Sequence, residues 1–356
     1  MLNIMSESDL HCYLPPEWAP QSGVMITWPH AETIWAETLD DIDQVLASVA
    51  YHVTRQEKLV ISCYDQNHVR HIQALLLNAD ARLDQVSMHI SPCDDIWVRD
   101  HGPISVFHQR HHEPLLLDFL FNGWGNKYPH ANDNEITRSI HAQHAFGGTL
   151  LQSINMVLEG GAIEVDGKGT LLTTSSCLLS KSRNAHLTKE AIEHNLRQLL
   201  GVERILWLDH GYLAGDDTDG HIDTLARFTD PHTICYIRCN DPNDEHYSAL
   251  KKMEEQLRTF TDFQGNPYRL VPLPWPRPRY ADYDGRRLPA TYANFLIING
   301  AVLVPTYDDP ADEEALATLA DCFPDRKIIG IHSLPVIQWY GSIHCMTMQL
   351  PLGVLS

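Results

Sequence analysis

No CxxC pair occurs among the eight cysteines of this sequence, which stand singly at 12, 63, 93, 177, 235, 239, 322 and 345. That leaves neither a zinc module nor a disulfide framework, and it points to a reducing compartment, the cytoplasm. The first thirty residues lack a basic stretch followed by an apolar one, so no secretory leader is expected. No apolar run approaches the roughly 18 residues of a membrane span. Positive charge is scarce: 26 Lys and Arg face 46 Asp and Glu, for a formal net charge of −20. Such a surface repels nucleic acid and anionic membranes and suits a small cationic ligand. Low-complexity segments and long linkers are missing too. With 44% hydrophobic and 20% charged residues, the chain can bury a large core. Residues 1–356 are read as one domain, with residues 1–20 as an extended, proline-rich arm.

What is present is a repeated order of elements. Gly23–Thr27 is an apolar strand stopped by Pro29. A helix follows over 38–56, where Leu39, Ile42, Val45, Leu46 and Val49 recur at helical spacing. Then come a strand at 58–63, a helix at 66–78 and a strand at 86–90. From there the pattern strand, strand, helix, strand runs four times. Its strand pairs are 103–107 with 114–120, 157–165 with 170–174, 221–228 with 233–238, and 294–298 with 301–305. Asp166-Gly167-Lys168-Gly169 between two apolar runs is a strong hairpin signal. A fifth unit forms if the last strand, 342–349, pairs with 23–28. Joining the ends would close a ring and remove sheet edges; an open α/β sheet is the alternative. The segment 272–290, rich in Pro and Arg, is too long for a plain connection and reads as a lid, a binding-site rim or a surface excursion.

Four clusters sit at or just before the first strands of these units. Asp94–Pro103 packs three acids, an Arg and a Trp together. Leu158-Glu159-Gly160-Gly161 sets a lone carboxylate beside glycines that let a ligand approach closely, or that mark a bulge. In Gly215–Asp223, His221 and Asp223 stand two apart on the strand read there, so both side chains share a face. An imidazole beside a carboxylate is acid/base machinery, part of a metal site, or a structural pair. The fourth cluster is Cys345 within Gly341–Pro351, read as a strand. Alternation there turns His344 away from the thiol, so the partner of a reactive Cys345 must come from elsewhere. A buried structural cysteine is the other reading.

Carboxylates beside a thiol raise its pKa and weaken it as a nucleophile, unless the substrate brings positive charge. A guanidinium is planar, cationic and matched by paired carboxylates. A soft metal site would need more His or Cys at the centre, and the histidines of Phe107–His112 read as a hairpin tip.

These motifs resemble the agmatine deiminase family, together with the bacterial-type peptidylarginine deiminases. The resemblance is carried by Asp95-x-Trp97-x-Arg99-Asp100-x-Gly102-Pro103, Leu158-Glu159-Gly160-Gly161, Asp219-Gly220-His221-Ile222-Asp223 and Ile343-His344-Cys345-x-Thr347. Leu14-Pro15-Pro16-Glu17-Trp18 and Thr27-Trp28-Pro29 extend it to the start of the chain. It implies a five-bladed α/β propeller (pentein) with pseudo-fivefold symmetry. It also implies hydrolysis of a guanidine to a ureido group and ammonia, with no metal or organic cofactor. Carried over, Cys345 is the nucleophile, His221 the general acid/base and Glu159 its orienting partner. Asp95 and Asp223 grip the guanidinium, Asp217 meets the amine of agmatine, and Trp97 lines the pocket. The sequence departs from the family pattern before the cysteine, where Trp339-Tyr340-Gly341-Ser342 replaces a Gly-rich run with Asn. It departs again at Cys93-Asp94 and at Met348-Gln349. The expected substrate is agmatine, with arginine or peptidyl-arginine as alternatives and a non-catalytic guanidine- or polyamine-binding protein as a third reading. No nucleic acid or membrane partner is expected, and a homodimer is left open.

Overall fold

The computed structural model describes residues 11–355, so the first half of the expected arm lies outside the described residues. The strands form five separate small sheets, each holding an antiparallel pair joined to a parallel strand; two of them carry a fourth strand, Cys12–Tyr13 antiparallel to Ile104–His108 in the first and Val86–Ile90 in the fifth. Ile104–His108, Pro114–Leu120 and Leu150–Val157 form the first. Ile163–Val165, Thr170–Thr174 and Arg204–Leu208 form the second. Ala226–Asp230, Thr233–Ile237 and Arg269–Leu273 form the third. Leu296–Ile298, Ala301–Thr306 and Lys327–His332 form the fourth. In the fifth, Met348–Pro351 pairs antiparallel with Gln21–Thr27, which runs parallel to Lys58–Cys63, itself parallel to Val86–Ile90. The two ends of the chain therefore share a sheet. A right-handed excursion through a helix is the usual way to join parallel neighbours. Here the helices Asp133–His141, Lys189–Leu200, Tyr247–Leu257, Ala311–Cys322, Leu39–Val53 and Gln66–Asn78 occupy those connections.

Local chemistry sets the helix limits. Asp65 accepts from the His68 N–H and starts Gln66–Asn78; Thr188 accepts from the Ala191 N–H and starts Lys189–Leu200. Helix Leu39–Val53 buries Ile42, Val45, Leu46, Val49 and Val53 on one face, against a core that includes Val24, Ile26, Leu59 and Ile61. The two inner strands of that sheet are apolar and buried, as strands covered on both faces must be.

Three expected strands are shorter or displaced, each beside a functional cluster. The last strand is Met348–Pro351 rather than 342–349, and Ile343–Met346 form a turn. The strand expected from 221 starts at Ala226, and Ile222–Thr224 form a single 3-10 turn. Residues 157–165 divide between the end of Leu150–Val157, a 3-10 turn at Gly160–Ala162, and Ile163–Val165. In each, backbone groups bond to side chains rather than to a ladder: at His221 to the nearby Thr218 hydroxyl at 3.0 Å, and at the other two to side chains from elsewhere in the chain. The His344 and Cys345 N–H groups both donate to Asn294 Oδ1, at 3.0 and 3.2 Å. The Gly161 N–H donates to Asp100 Oδ1 at 3.0 Å.

Candidate active site

Cys345 sits on the turn Ile343–Met346, immediately before the final strand. Thr347 Oγ1 ties the turn by donating to the Ile343 carbonyl at 2.8 Å. The Cys345 carbonyl accepts from the Arg99 N–H at 3.1 Å. Its sulfur receives the Asn294 amide at 3.2 Å and lies 3.7 Å from Asp223 Oδ2. Burial first, then the negative charges of Asp223 and Asp100, push the thiol well above its ordinary pKa. The resting sulfur is therefore a thiol.

Cys345 lines a pocket together with the aromatic side chains Trp97, Trp124, Tyr128, Trp339 and Tyr340 and the acidic side chains Asp95, Asp100 and Asp217. Asp95 Oδ1 accepts from Trp35 Nε1 at 2.9 Å and from the Ile96 N–H at 2.8 Å. Burial raises its carboxyl to about 6, although these donors pull it down. Asp100 accepts from Trp124 Nε1 at 2.9 Å, and burial beside Asp223 and Glu159 pushes it well above the carboxylate range. Asp217 Oδ2 accepts from the Tyr128 hydroxyl at 2.5 Å. Among the described residues lining this pocket there are three carboxylates and neither Lys nor Arg.

His221, Glu159 and Asp223 are fully buried and do not line the pocket. His221 Nδ1 lies 3.6 Å from Asp100 Oδ1, and neither ring nitrogen has a hydrogen-bond partner. Burial pushes its pKa down to about 3, so the resting imidazole is neutral. Glu159 Oε1 accepts from Arg183 Nε at 3.0 Å while Oε2 is unpartnered. Burial would raise Asp223 as well, but the hydrogen bond and charge of His344 more than offset it and its carboxyl is lowered.

The two glycines after Glu159 have a different use from the one expected. A methyl on Gly161 would come within 2.5 Å of His221 Nδ1 and 3.1 Å of Asp223 Oδ2, and one on Gly160 within 2.3 Å of the Arg99 carbonyl. They make room for the protein's own side chains. Gly341 is constrained in the same way, since a Cβ there would meet Trp97 Cζ3 at 2.2 Å.

Glu159, Cys177 and His221 form the one group among the described residues whose ligand atoms all lie within 4.8 Å of one another. The set fits a cation poorly. Arg183 already occupies Glu159, and Cys177 is a buried thiol with its pKa raised. No strand alternates at His344: its ring spans Asp223 and Glu17, and it shares Asp223 Oδ2 with the Cys345 sulfur. Asp100 stood in plain view within its motif without a role assigned. Asn294 carries no local signal, because its partners His344 and Cys345 lie about fifty positions away. The 272–290 segment meets the pocket wall, where Tyr283 stacks on Trp339 at 5.2 Å between ring centroids.

Comparison with known proteins agrees with this geometry. Residues 13–351 match the Porphyromonas-type peptidyl-arginine deiminase family. Agmatine deiminase of Pseudomonas putida is 33% identical, over 96% of both chains. A Porphyromonas gingivalis crystal structure provisionally described as an arginine deiminase is 49% identical, with a TM-score of 0.89 over 96% of this chain and 99% of that one. Substrate-bound agmatine deiminase of C. jejuni, carrying a Cys-to-Ser substitution, is 35% identical, with a TM-score of 0.87 over 95% and 96%. The chain thus belongs to the Porphyromonas-type peptidyl-arginine deiminase family and is a hydrolase acting on guanidino C–N bonds.

Proposed function

We propose that this protein hydrolyses agmatine to N-carbamoylputrescine and ammonia through a covalent adduct on Cys345. The observation that carries the choice of substrate is the pocket lining: the acidic side chains of Asp95 and Asp217, the buried carboxyl of Asp100, aromatic walls and no Lys or Arg. A guanidinium with an amine tail is dicationic and suits such a lining. The carboxylate of arginine would meet Asp217 where the neighbouring cation, Lys127, is already bound to the Asp217 carbonyl and to Asp219, at a cost of several kcal/mol if left unpaired.

In this reading Asp95 and Asp223 hold the guanidinium nitrogens, and the ligand's charge offsets the anions that keep Cys345 protonated. The thiol proton passes to neutral His221 as sulfur adds to the amidino carbon. His221 returns that proton to the departing nitrogen, which leaves as ammonia, and a thiouronium remains on Cys345. His221 then takes a proton from water, the hydroxyl adds to the same carbon, and the C–S bond breaks to give the ureido product. The hydroxyl proton passes to the sulfur and restores the thiol, and His221 releases the proton it took from water to solvent, where it converts the ammonia to ammonium. Glu159, anchored by Arg183, orients His221, and Asp217 meets the distal amine. None of these steps is assigned to a metal or organic cofactor.

We also infer that the five sheets are blades of one propeller-like ring making a single catalytic domain. The sheet shared by the two chain ends supports this. A panel of agmatine, arginine, short arginine peptides and butylguanidine, assayed for ureido product and ammonia, tests the substrate. Agmatine should have the highest kcat/KM; faster turnover of arginine or an arginine peptide would overturn the choice.

A further inference from the structure

The sequence singled out Leu14–Trp18 and His344, and the reaction above uses neither. The structure brings them together behind the catalytic thiol. His344 is fully buried, and both of its ring nitrogens face carboxylates. Nδ1 lies 2.7 Å from Asp223 Oδ2, and Nε2 lies 2.8 and 3.1 Å from the two oxygens of Glu17. A neutral imidazole has one N–H and one lone pair. Either tautomer would press a lone pair against a carboxylate oxygen at hydrogen-bond distance. Two donors are needed, which means one extra proton on the ring.

The surroundings are arranged to keep that proton. Glu17 is itself held by Arg99 Nη1 at 3.2 Å and Arg227 Nη2 at 2.5 Å. Arg227 also donates to Glu164 at 3.1 Å, and Arg99 Nε donates to the His344 carbonyl at 3.3 Å. The charged groups facing His344 are thus Glu17 and Asp223, against Arg99 and Arg227, with Glu164 behind Arg227 and the Cys345 thiol beside it. Burial first, then the Arg227 and Arg99 charges, act against the imidazolium and lower the His344 pKa, while the two carboxylates in direct contact favour the charged ring. The same contacts hold Glu17 ionised, far below the usual carboxylate range despite its burial. Against the downward shift of His344, the second ring proton rests on geometry: carboxylate oxygens stand 2.7 and 2.8 Å from the two nitrogens.

We propose that Glu17 and His344 are positioning residues of the guanidinium grip: the N-terminal arm carries Glu17 to the rear of the site, and Glu17 holds His344 as an imidazolium that fixes Asp223 Oδ2 beside the Cys345 sulfur. This rests on the deiminase reading given above. It deepens that reading by making a residue over three hundred positions from the nucleophile part of the substrate site. The arm is thereby a working element. Asp223 Oδ2 is pinned, and Asp223 Oδ1, which has no partner in the structure, is left for the substrate.

Two measurements test it. The first is independent of turnover: nitrogen-15 NMR of histidine-labelled full-length protein, with His344 identified by its loss in His344→Asn. Both ring nitrogens should stay protonated from pH 6 to 8.5. An unprotonated ring nitrogen at pH 7 would overturn the proposal, whatever the protein's substrate. The second is kinetic and compares Glu17→Gln, His344→Leu and His344→Asn. Glu17→Gln and His344→Leu should raise KM for agmatine by roughly 30-fold or more, with a smaller effect on kcat, as expected when a buried charge partner of the binding group is lost. They should also move the acid limb of kcat/KM to higher pH, because Asp223 loses its cation. His344→Asn places an amide donor near the former Nδ1 and should recover about tenfold of that loss. If Glu17→Gln fails to fold, the two His344 variants decide. Folded variants with lowered thermal stability but wild-type KM and pH limb would reduce the trio to a structural role and refute the proposal. Failure of the deiminase reading would show separately, as a wild-type protein that releases ammonia from no guanidine.

Discussion

Replacing Asp223 with Asn should make Cys345 more reactive and the enzyme inactive. Asp223 Oδ2 lies 3.7 Å from the Cys345 sulfur. At an effective dielectric near 20, a unit charge at that distance disfavours the thiolate by about 4.5 kcal/mol, or on the order of a thousandfold in thiolate fraction. Nucleophilicity falls as the thiol becomes more acidic, with a Brønsted slope of about 0.4–0.5, which takes back roughly half of that on a logarithmic scale. The net expectation at pH 7 is alkylation by iodoacetamide about 50-fold faster in Asp223→Asn than in wild type. The assay follows the Cys345 peptide by mass spectrometry; the other seven cysteines are buried and serve as internal controls. Turnover should nevertheless collapse, because the same carboxylate grips the guanidinium. A thiol no more reactive than wild type would refute the idea that resting Cys345 is held protonated by its carboxylate neighbours.

Four further outcomes are expected. Cys345→Ala should abolish ammonia release while retaining agmatine binding by calorimetry; appreciable turnover by that variant excludes the thiol mechanism. His221→Ala should lower kcat by roughly two to four orders of magnitude, as for a general acid/base, and near-normal kcat would remove its role. Asp217→Asn should penalise agmatine more than butylguanidine, which lacks the distal amine, and equal losses would place the amine elsewhere. Asp95, raised to about 6 by burial, contributes stability that is fully present below its unfolded pKa and is lost as pH rises through 6. Asp95→Asn should therefore be more stable than wild type at pH 8 by roughly 2–3 kcal/mol and gain little at pH 4, in thermal or denaturant melts. A gain independent of pH would contradict the assigned cause.

The elements that were legible in the sequence are those whose pattern is local. Helix Gln66–Asn78 and strands Lys58–Cys63, Val86–Ile90, Pro114–Leu120 and Arg204–Leu208 fall where periodicity puts them. The hairpin around Asp166–Gly169 forms because Asp166 Oδ1 accepts from the N–H groups of Lys168 and Thr170, which is turn chemistry readable from four residues. The strands misplaced by the pattern are those at His221 and Cys345. Apolar alternation continues through both stretches, but there the backbone is held by Thr218, Ser342 and Asn294. Thr218 and Ser342 are near neighbours whose turn bonds alternation does not report, and Asn294, some fifty positions away, lies beyond any local signal. The acids that line the pocket were visible as a cluster, yet the cluster could not say which of them face the ligand. Asp95 and Asp100 line the pocket, whereas Asp94 is turned to Asn132. Glu17 was visible only as part of a motif, because its partners Arg99, Arg227 and His344 come from three distant segments.

The central claim is that a guanidine carbon becomes bonded to the sulfur of Cys345. Rapid acid quench during agmatine turnover, followed by mass spectrometry of the peptide containing Cys345, tests it most directly. The account predicts a transient adduct with the mass of agmatine less ammonia, confined to Cys345 and absent from Cys345→Ala. Steady ammonia release with an unmodified Cys345 peptide at every quench time, and with no sensitivity to thiol alkylation, would contradict it.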